Sequence, residues 1–72
     1  MDGAVQEKVK KILRGEVRYS SANLAFNMLI SKLKNRVKED PSAMDSCLED
    51  MEGFLKKYPI VAKVDLANIA AL

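Results

Sequence analysis

Glycine and proline interrupt this 72-residue sequence at only five positions, which are Gly3, Gly15, Pro41, Gly53 and Pro59. Between these positions apolar residues recur every three or four places, the spacing that is typical of an amphipathic helix. Residues 16–19 alternate polar with apolar side chains, but four residues are too few to indicate a strand. The sequence therefore predicts an all-α fold: a compact three- to four-helix bundle in a single helical domain over 1–72.

The first helix is predicted over residues 4–14, because Val5, Val9 and Ile12 fall on one face. Gly15 follows it and suits the left-handed position after a helix end. The second helix is predicted over about 20–38, with Ser20 or Ser21 supplying a hydroxyl N-cap.

The third helix is predicted over 42–58, where Ser42 and Asp45 approximate a capping box. The Ala-rich tail predicts a short fourth helix over about 60–71, although the pattern alone leaves an extended tail open. Such a helix would begin either with Asp65 as its cap or with Pro59 at its first position.

The second helix carries apolar residues over roughly 240° of its surface. The set comprises Ala22, Leu24, Ala25, Phe26, Met28, Leu29, Ile30, Leu33 and Val37. A helix that is apolar on so many sides needs several neighbours, which places it at the centre of the fold. A small chain often completes such a core by association, so we expect a homodimer or another protein partner. The alternative is that the remaining three helices cover it alone.

Five residues are candidates for the partner or self-association surface: Leu24, Met28, Ile30, Ser46 and Gly53. The first three belong to the wide apolar arc. Gly53 lies inside the third helix, where glycine costs about 1 kcal/mol relative to alanine. With Ser46 seven residues earlier, it would form a shallow strip that another helix could approach. The alternative is a tolerated surface glycine.

Charge is distributed unevenly along the chain although its formal net value is only +2. Residues 1–38 hold nine basic and three acidic side chains, whereas residues 39–72 hold three basic and seven acidic ones. The basic half could bind an anionic partner, pair with the acidic half of another copy, or be neutralised within the chain.

The alternative functional hypothesis is a nucleic-acid-binding regulatory protein. Asparagine can contact adenine in the major groove while lysine contacts phosphates. The candidate nucleic-acid surface comprises Lys8, Lys10, Lys11, Arg14, Asn23, Asn27, Lys34 and Lys38.

Catalysis finds little support in this composition, because the sequence has no histidine and a single cysteine. Histidine-based acid–base catalysis is impossible, and a zinc site is nearly excluded. Cys47 falls on the apolar face of the third helix, which is typical of a structural cysteine. No glycine-rich phosphate loop is present. We therefore expect no enzyme activity, no catalytic residue, no metal, no cofactor and no small-molecule substrate.

The composition and the sequence pattern also indicate where the protein is located and what it does. No stretch is long and apolar enough to span a membrane, and the N-terminus lacks the pattern of a secretory signal. A free thiol favours a reducing compartment, so we expect a cytoplasmic protein. No motif is specific to a known family. The sequence predicts a small, non-enzymatic protein–protein interaction module that self-associates.

Overall fold

Four helices and no strand make up the fold, as a computed structural model that describes all 72 residues shows. The helices are α1 (Gly3–Leu13), α2 (Leu24–Glu39), α3 (Met44–Lys57) and α4 (Pro59–Ala70). A single 3-10 turn, Pro41–Ala43, leads into α3. The predicted all-α bundle is confirmed. No helix has the length and the apolar character that crossing a membrane requires.

The end of α1 is fixed by Gly15, which has a φ of +77°. Its N–H donates to the carbonyl of Ile12, and the N–H of Glu16 donates to the carbonyl of Lys11. These two bonds form a Schellman motif, which satisfies carbonyls that the helix end leaves free. Glycine adopts the required left-handed conformation without the clash that a Cβ would cause.

The start of α2 differs from the prediction, since α2 begins at Leu24 rather than near residue 20. The N-cap is Asn23, whose side-chain oxygen accepts from the N–H of Phe26 at 2.9 Å. The expectation that Ser20 or Ser21 caps α2 is wrong. Ser21 instead uses its hydroxyl oxygen to accept from the N–H of Asn23, which holds the turn before the helix.

The start of α3 also departs from the prediction. The Asp40 side chain accepts from both the N–H and the hydroxyl of Ser42, so it caps the 3-10 turn. Met44 begins α3 without any side-chain cap. The capping box of Ser42 and Asp45 is therefore wrong, because the 3-10 turn uses Ser42 before the helix starts.

The tail is helical, and Pro59 occupies the first turn of α4. Proline suits this place because its missing N–H would find no partner there. The interpretation of Asp65 as an N-cap is wrong, since it lies in the middle of α4, where it is 2% exposed.

The core consists of 13 apolar residues, and the four helices contribute unequally to it. Each of the first three helices supplies four of them. Phe26 and Leu33 of α2 are fully buried, and the Phe26 ring stacks on Phe54 at 5.5 Å. In contrast, α4 supplies only Ile69, although it is the most apolar of the helices. Most of the apolar surface of α4 therefore lies at the edge of the core or outside it.

Two glycine substitutions should change stability in opposite directions. Gly15→Ala should lower the free energy of unfolding by about 1–2 kcal/mol, because the left-handed conformation is strained for alanine. Gly53→Ala should raise it by about 0.5–1 kcal/mol, because Gly53 is inside a helix and an added Cβ would meet open space. Urea denaturation of both variants measures the difference. Equal effects would contradict the assigned backbone conformations.

Candidate interaction surface

The apolar candidates on α2 are only partly accessible. Leu24 is 73% exposed and Met28 is 65% exposed, so both are available to a partner. Ile30 is 4% exposed and belongs to the core, so its inclusion in an accessible surface is wrong. The reason is helical geometry, because Ile30 lies about 40° from the buried Phe26, whereas Leu24 and Met28 point to the opposite side.

Ser46 and Gly53 lie on the outer face of α3. The Ser46 hydroxyl accepts from the Arg36 guanidinium, which also donates to the Asp50 carboxylate at 2.6 Å. This network joins α2 to α3. No atom of another helix lies within 4 Å of the place that a Cβ on Gly53 would occupy. Within the chain, therefore, no helix makes the close approach that Gly53 would permit.

A second apolar surface lies on α4 and was missed by the sequence reasoning. Ile60 is 80% exposed and Val64 is 51% exposed, and Ala67 and Ala71 are exposed as well. These four residues have 4-3-4 spacing, which places them on one side of the helix, within about 60°. We call them the α4 stripe. The 4-3-4 spacing is visible in the sequence. Because α4 is apolar on nearly every side, however, the sequence does not indicate which side faces outward.

A buried carboxylate sets the orientation of α4. Asp65 is 2% exposed, and its carboxylate accepts a hydrogen bond from the Tyr19 hydroxyl. Burial and the neighbouring Asp65 raise the pKa of Tyr19 to about 12, although a hydrogen bond with Asn68 opposes the shift. A buried carboxylate is costly unless it is hydrogen-bonded. The bond therefore holds the Asp65 side of α4 inward and leaves the α4 stripe outside.

Most of the basic residues in and beside α1 have partners within the chain. Lys8 donates to the carbonyl of Ala70 near the end of α4. Lys10 pairs with Glu7 at 3.3 Å, and Arg14 pairs with Glu16. Lys11 is exposed and forms no salt bridge. The structure therefore reduces the free positive charge that the sequence assigned to this helix.

Three basic candidates meet at one groove of about 910 Å³. Arg14 lies at its α1 side, and Lys34 and Lys38 lie at its α2 side. Glu16, which pairs with Arg14, also lines it. The groove thus carries positive charge from the two lysines.

The two asparagines proposed to read DNA bases have structural roles instead. Asn23 caps α2. The Asn27 side chain accepts from the N–H of Ser21 and donates to the carbonyl of the same residue, both at 2.7 Å. Both amide oxygens are therefore engaged in this conformation, so neither side chain is free to contact adenine with its oxygen and its nitrogen together.

The single cysteine and the ion pairs complete the set of candidate chemical groups. Cys47 is fully buried, and its thiol lies 3.9 Å from the carbonyl oxygen of Leu33. No group of three or more carboxylate, thiol or imidazole side chains is placed to hold a metal ion. Two ion pairs join the basic and acidic halves, Arg36 with Asp50 and the N-terminal amine with Glu52. The other two ion pairs lie within the basic half.

Comparisons with protein-family models, with curated proteins and with solved structures found no match.

Tyr19→Phe should lower the free energy of unfolding at neutral pH by about 2 kcal/mol, because a buried carboxylate loses its donor. Raising the pH from 10 to 12 should reduce the difference between the two proteins. The folded state raises the pKa of Tyr19, so the stabilisation is fully present below pH 10 and is lost as the hydroxyl ionises near pH 12. Denaturation curves at several pH values measure this. Tyr58→Phe, at a half-exposed tyrosine, is the control and should change stability by less than about 0.5 kcal/mol. A pH-independent difference for Tyr19→Phe would contradict the assignment.

Proposed function

We propose that this chain is a small, non-enzymatic helical protein–protein interaction module that self-associates. One observation carries the proposal: α4 is the most apolar helix, yet its outer side has no neighbour in the chain. A helix that is apolar all round is normally buried on all sides. Its exposed side is therefore the surface that association would cover.

The exposed apolar side chains and the small size of the chain support the same proposal. Six large apolar side chains are substantially exposed, namely Leu24, Met28, Tyr58, Ile60, Val64 and Leu72. Single exposed apolar residues are ordinary, but aligned ones mark interaction sites. Below about 70–80 residues one apolar core contributes little stability, and oligomerisation is a common remedy. Self-association would both cover the α4 stripe and add to the core.

The chemistry of the chain supports a binding role in the cytoplasm. The sequence holds no histidine, and its one thiol is buried, where solvent and solutes do not reach it. A free thiol is typical of a reducing compartment. A protein partner needs only an accessible apolar face of the kind that α4 presents.

Self-association should be visible as a change in mass with concentration. Sedimentation velocity from micromolar to millimolar protein should show a monomer converting to a dimer. The midpoint of thermal unfolding should rise over the same range, because association stabilises only the folded state. A monomer at every concentration, with an unchanged midpoint, would reject self-association.

The second candidate function is nucleic-acid binding, favoured by the groove that Arg14, Lys34 and Lys38 line. Lysines on one groove can contact successive phosphates and release counterions from the nucleic acid. The occupied asparagines leave no base-reading element on α2, so such binding would be independent of sequence.

A fluorescence-anisotropy titration with random-sequence duplex DNA tests this candidate. Binding at low salt should weaken as salt is added, and the double variant Lys34→Glu, Lys38→Glu should abolish it. Lys56→Glu, Lys57→Glu is a matched control of the same charge on α3, away from the groove. Absence of binding at low salt would eliminate nucleic acid as a partner.

A further inference from the structure

We propose that the groove between α1 and α2 binds an extended acidic segment of a partner protein, whose carboxylates pair with Lys34 and Lys38. Both lysines line this groove of about 910 Å³, together with Arg14. The α4 stripe lies on another helix, which takes no part in the groove. The inference therefore extends the proposed interaction role to a second surface and does not depend on self-association.

The free positive charge of the groove comes from the two lysines. Lys34 and Lys38 are exposed and form no salt bridge within the chain. Arg14, in contrast, pairs with Glu16, which is the one acidic residue of the groove lining. Lysines four positions apart on a helix repel each other, and no unpaired acidic residue of the groove offsets that repulsion. The groove is therefore complementary to an anionic partner.

The spacing of the lysines fits a peptide with acidic residues at alternate positions. Residues four apart on α2 are separated by about 6 Å along the helix axis. In an extended chain, side chains two residues apart point to the same side and are separated by about 6.6–6.8 Å. Two acidic residues with one residue between them would therefore reach Lys34 and Lys38 together.

A free side-chain amide at the groove favours an extended peptide over a helical one. Asn35 is exposed and lines the groove, and its amide forms no hydrogen bond within the chain. An asparagine amide can donate to one backbone group and accept from another. The backbone groups of an extended segment are available for such bonds, whereas those inside a helix are bonded to one another.

The floor of the groove is apolar. Leu13 and Val37 are buried there, Met44 is half-buried, and the exposed ring of Pro41 lies at the same groove. An apolar side chain of the peptide that covered Met44 and Pro41 would remove apolar surface from water, which is favourable. The groove therefore suits a segment that carries both acidic and apolar side chains.

Duplex nucleic acid makes poorer use of the same groove. The two unpaired lysines would neutralise about two phosphates, whereas strong salt-dependent binding involves about 6–10 phosphate contacts. The phosphate backbone of a duplex would also leave Met44 and Pro41 without an apolar partner. The groove therefore favours a peptide.

A peptide titration followed by NMR tests the site. The probe is a short peptide with blocked termini that carries glutamate at two alternate positions and leucine at the next alternate position, among serine and glycine. Its addition to the isotope-labelled chain should shift the amide signals of Gly15, Lys34, Lys38 and Met44. A matched peptide with glutamine in place of glutamate should bind about tenfold more weakly, because two exposed ion pairs contribute about that factor.

Two matched double variants locate the ionic contacts. Lys34→Gln with Lys38→Gln should weaken binding of the glutamate peptide about tenfold. Lys56→Gln with Lys57→Gln removes the same charge from α3, away from the groove, and should leave binding unchanged. Asn35→Ala should weaken binding about fivefold, because one hydrogen bond is lost. All five side chains are exposed, so the spectra of the free variants should remain those of the folded chain.

The outcomes are independent of the sedimentation measurements that test self-association. A glutamate peptide that shifts no groove signal at millimolar concentration overturns the inference, as does a glutamine peptide that binds equally well. Duplex DNA that binds at the same signals more tightly than the peptide would assign the groove to nucleic acid instead. Unchanged binding by Asn35→Ala overturns the extended conformation. Binding that requires both the glutamates and the two groove lysines supports the inference.

Discussion

The hydrogen bond from Tyr19 to Asp65 is the interaction on which the arrangement of this small bundle depends. Asp65 is a buried carboxylate on the helix that contributes least to the apolar core. Without a donor, its burial would oppose the packing of α4 against the other helices. Tyr19 supplies that donor from the segment between α1 and α2, so one bond fixes both that segment and the rotation of α4. The rotation decides which apolar residues face solvent.

That rotation links the fold to the proposed function. With Asp65 and Ile69 inward, the 4-3-4 series that begins at Ile60 faces outward along the whole of α4. A polar residue inside and apolar residues outside is the reverse of the usual pattern of a surface helix. A second chain that covered the outer side would remove these apolar residues from water, which is favourable. The exposed apolar surface therefore follows α4, although α2 has the wider apolar arc in the sequence.

Charge has a different role in the folded chain from the one that its distribution along the sequence indicates. Arg36 joins the two halves by pairing with Asp50 and donating to Ser46. Two other basic groups have partners within the chain: Lys8 donates to the end of α4, and Arg14 pairs with Glu16 beside Gly15. Only part of the predicted basic surface is left for an anionic partner. The nucleic-acid hypothesis is accordingly narrowed to the groove between α1 and α2.

The sequence by itself determined the helical class, the end of α1 at Gly15 and the lack of histidine chemistry, because these depend on composition and on neighbours within one helical turn. It located α2 and α3 but not their first residues, since Asn23 rather than a serine caps α2, and Asp40 binds Ser42 in a 3-10 turn that precedes α3. Only the tertiary structure decided that Ile30 is buried, that Asn27 is engaged and that the α4 stripe faces outward. The decisive bond joins residues 46 positions apart, and no local pattern specifies such a contact.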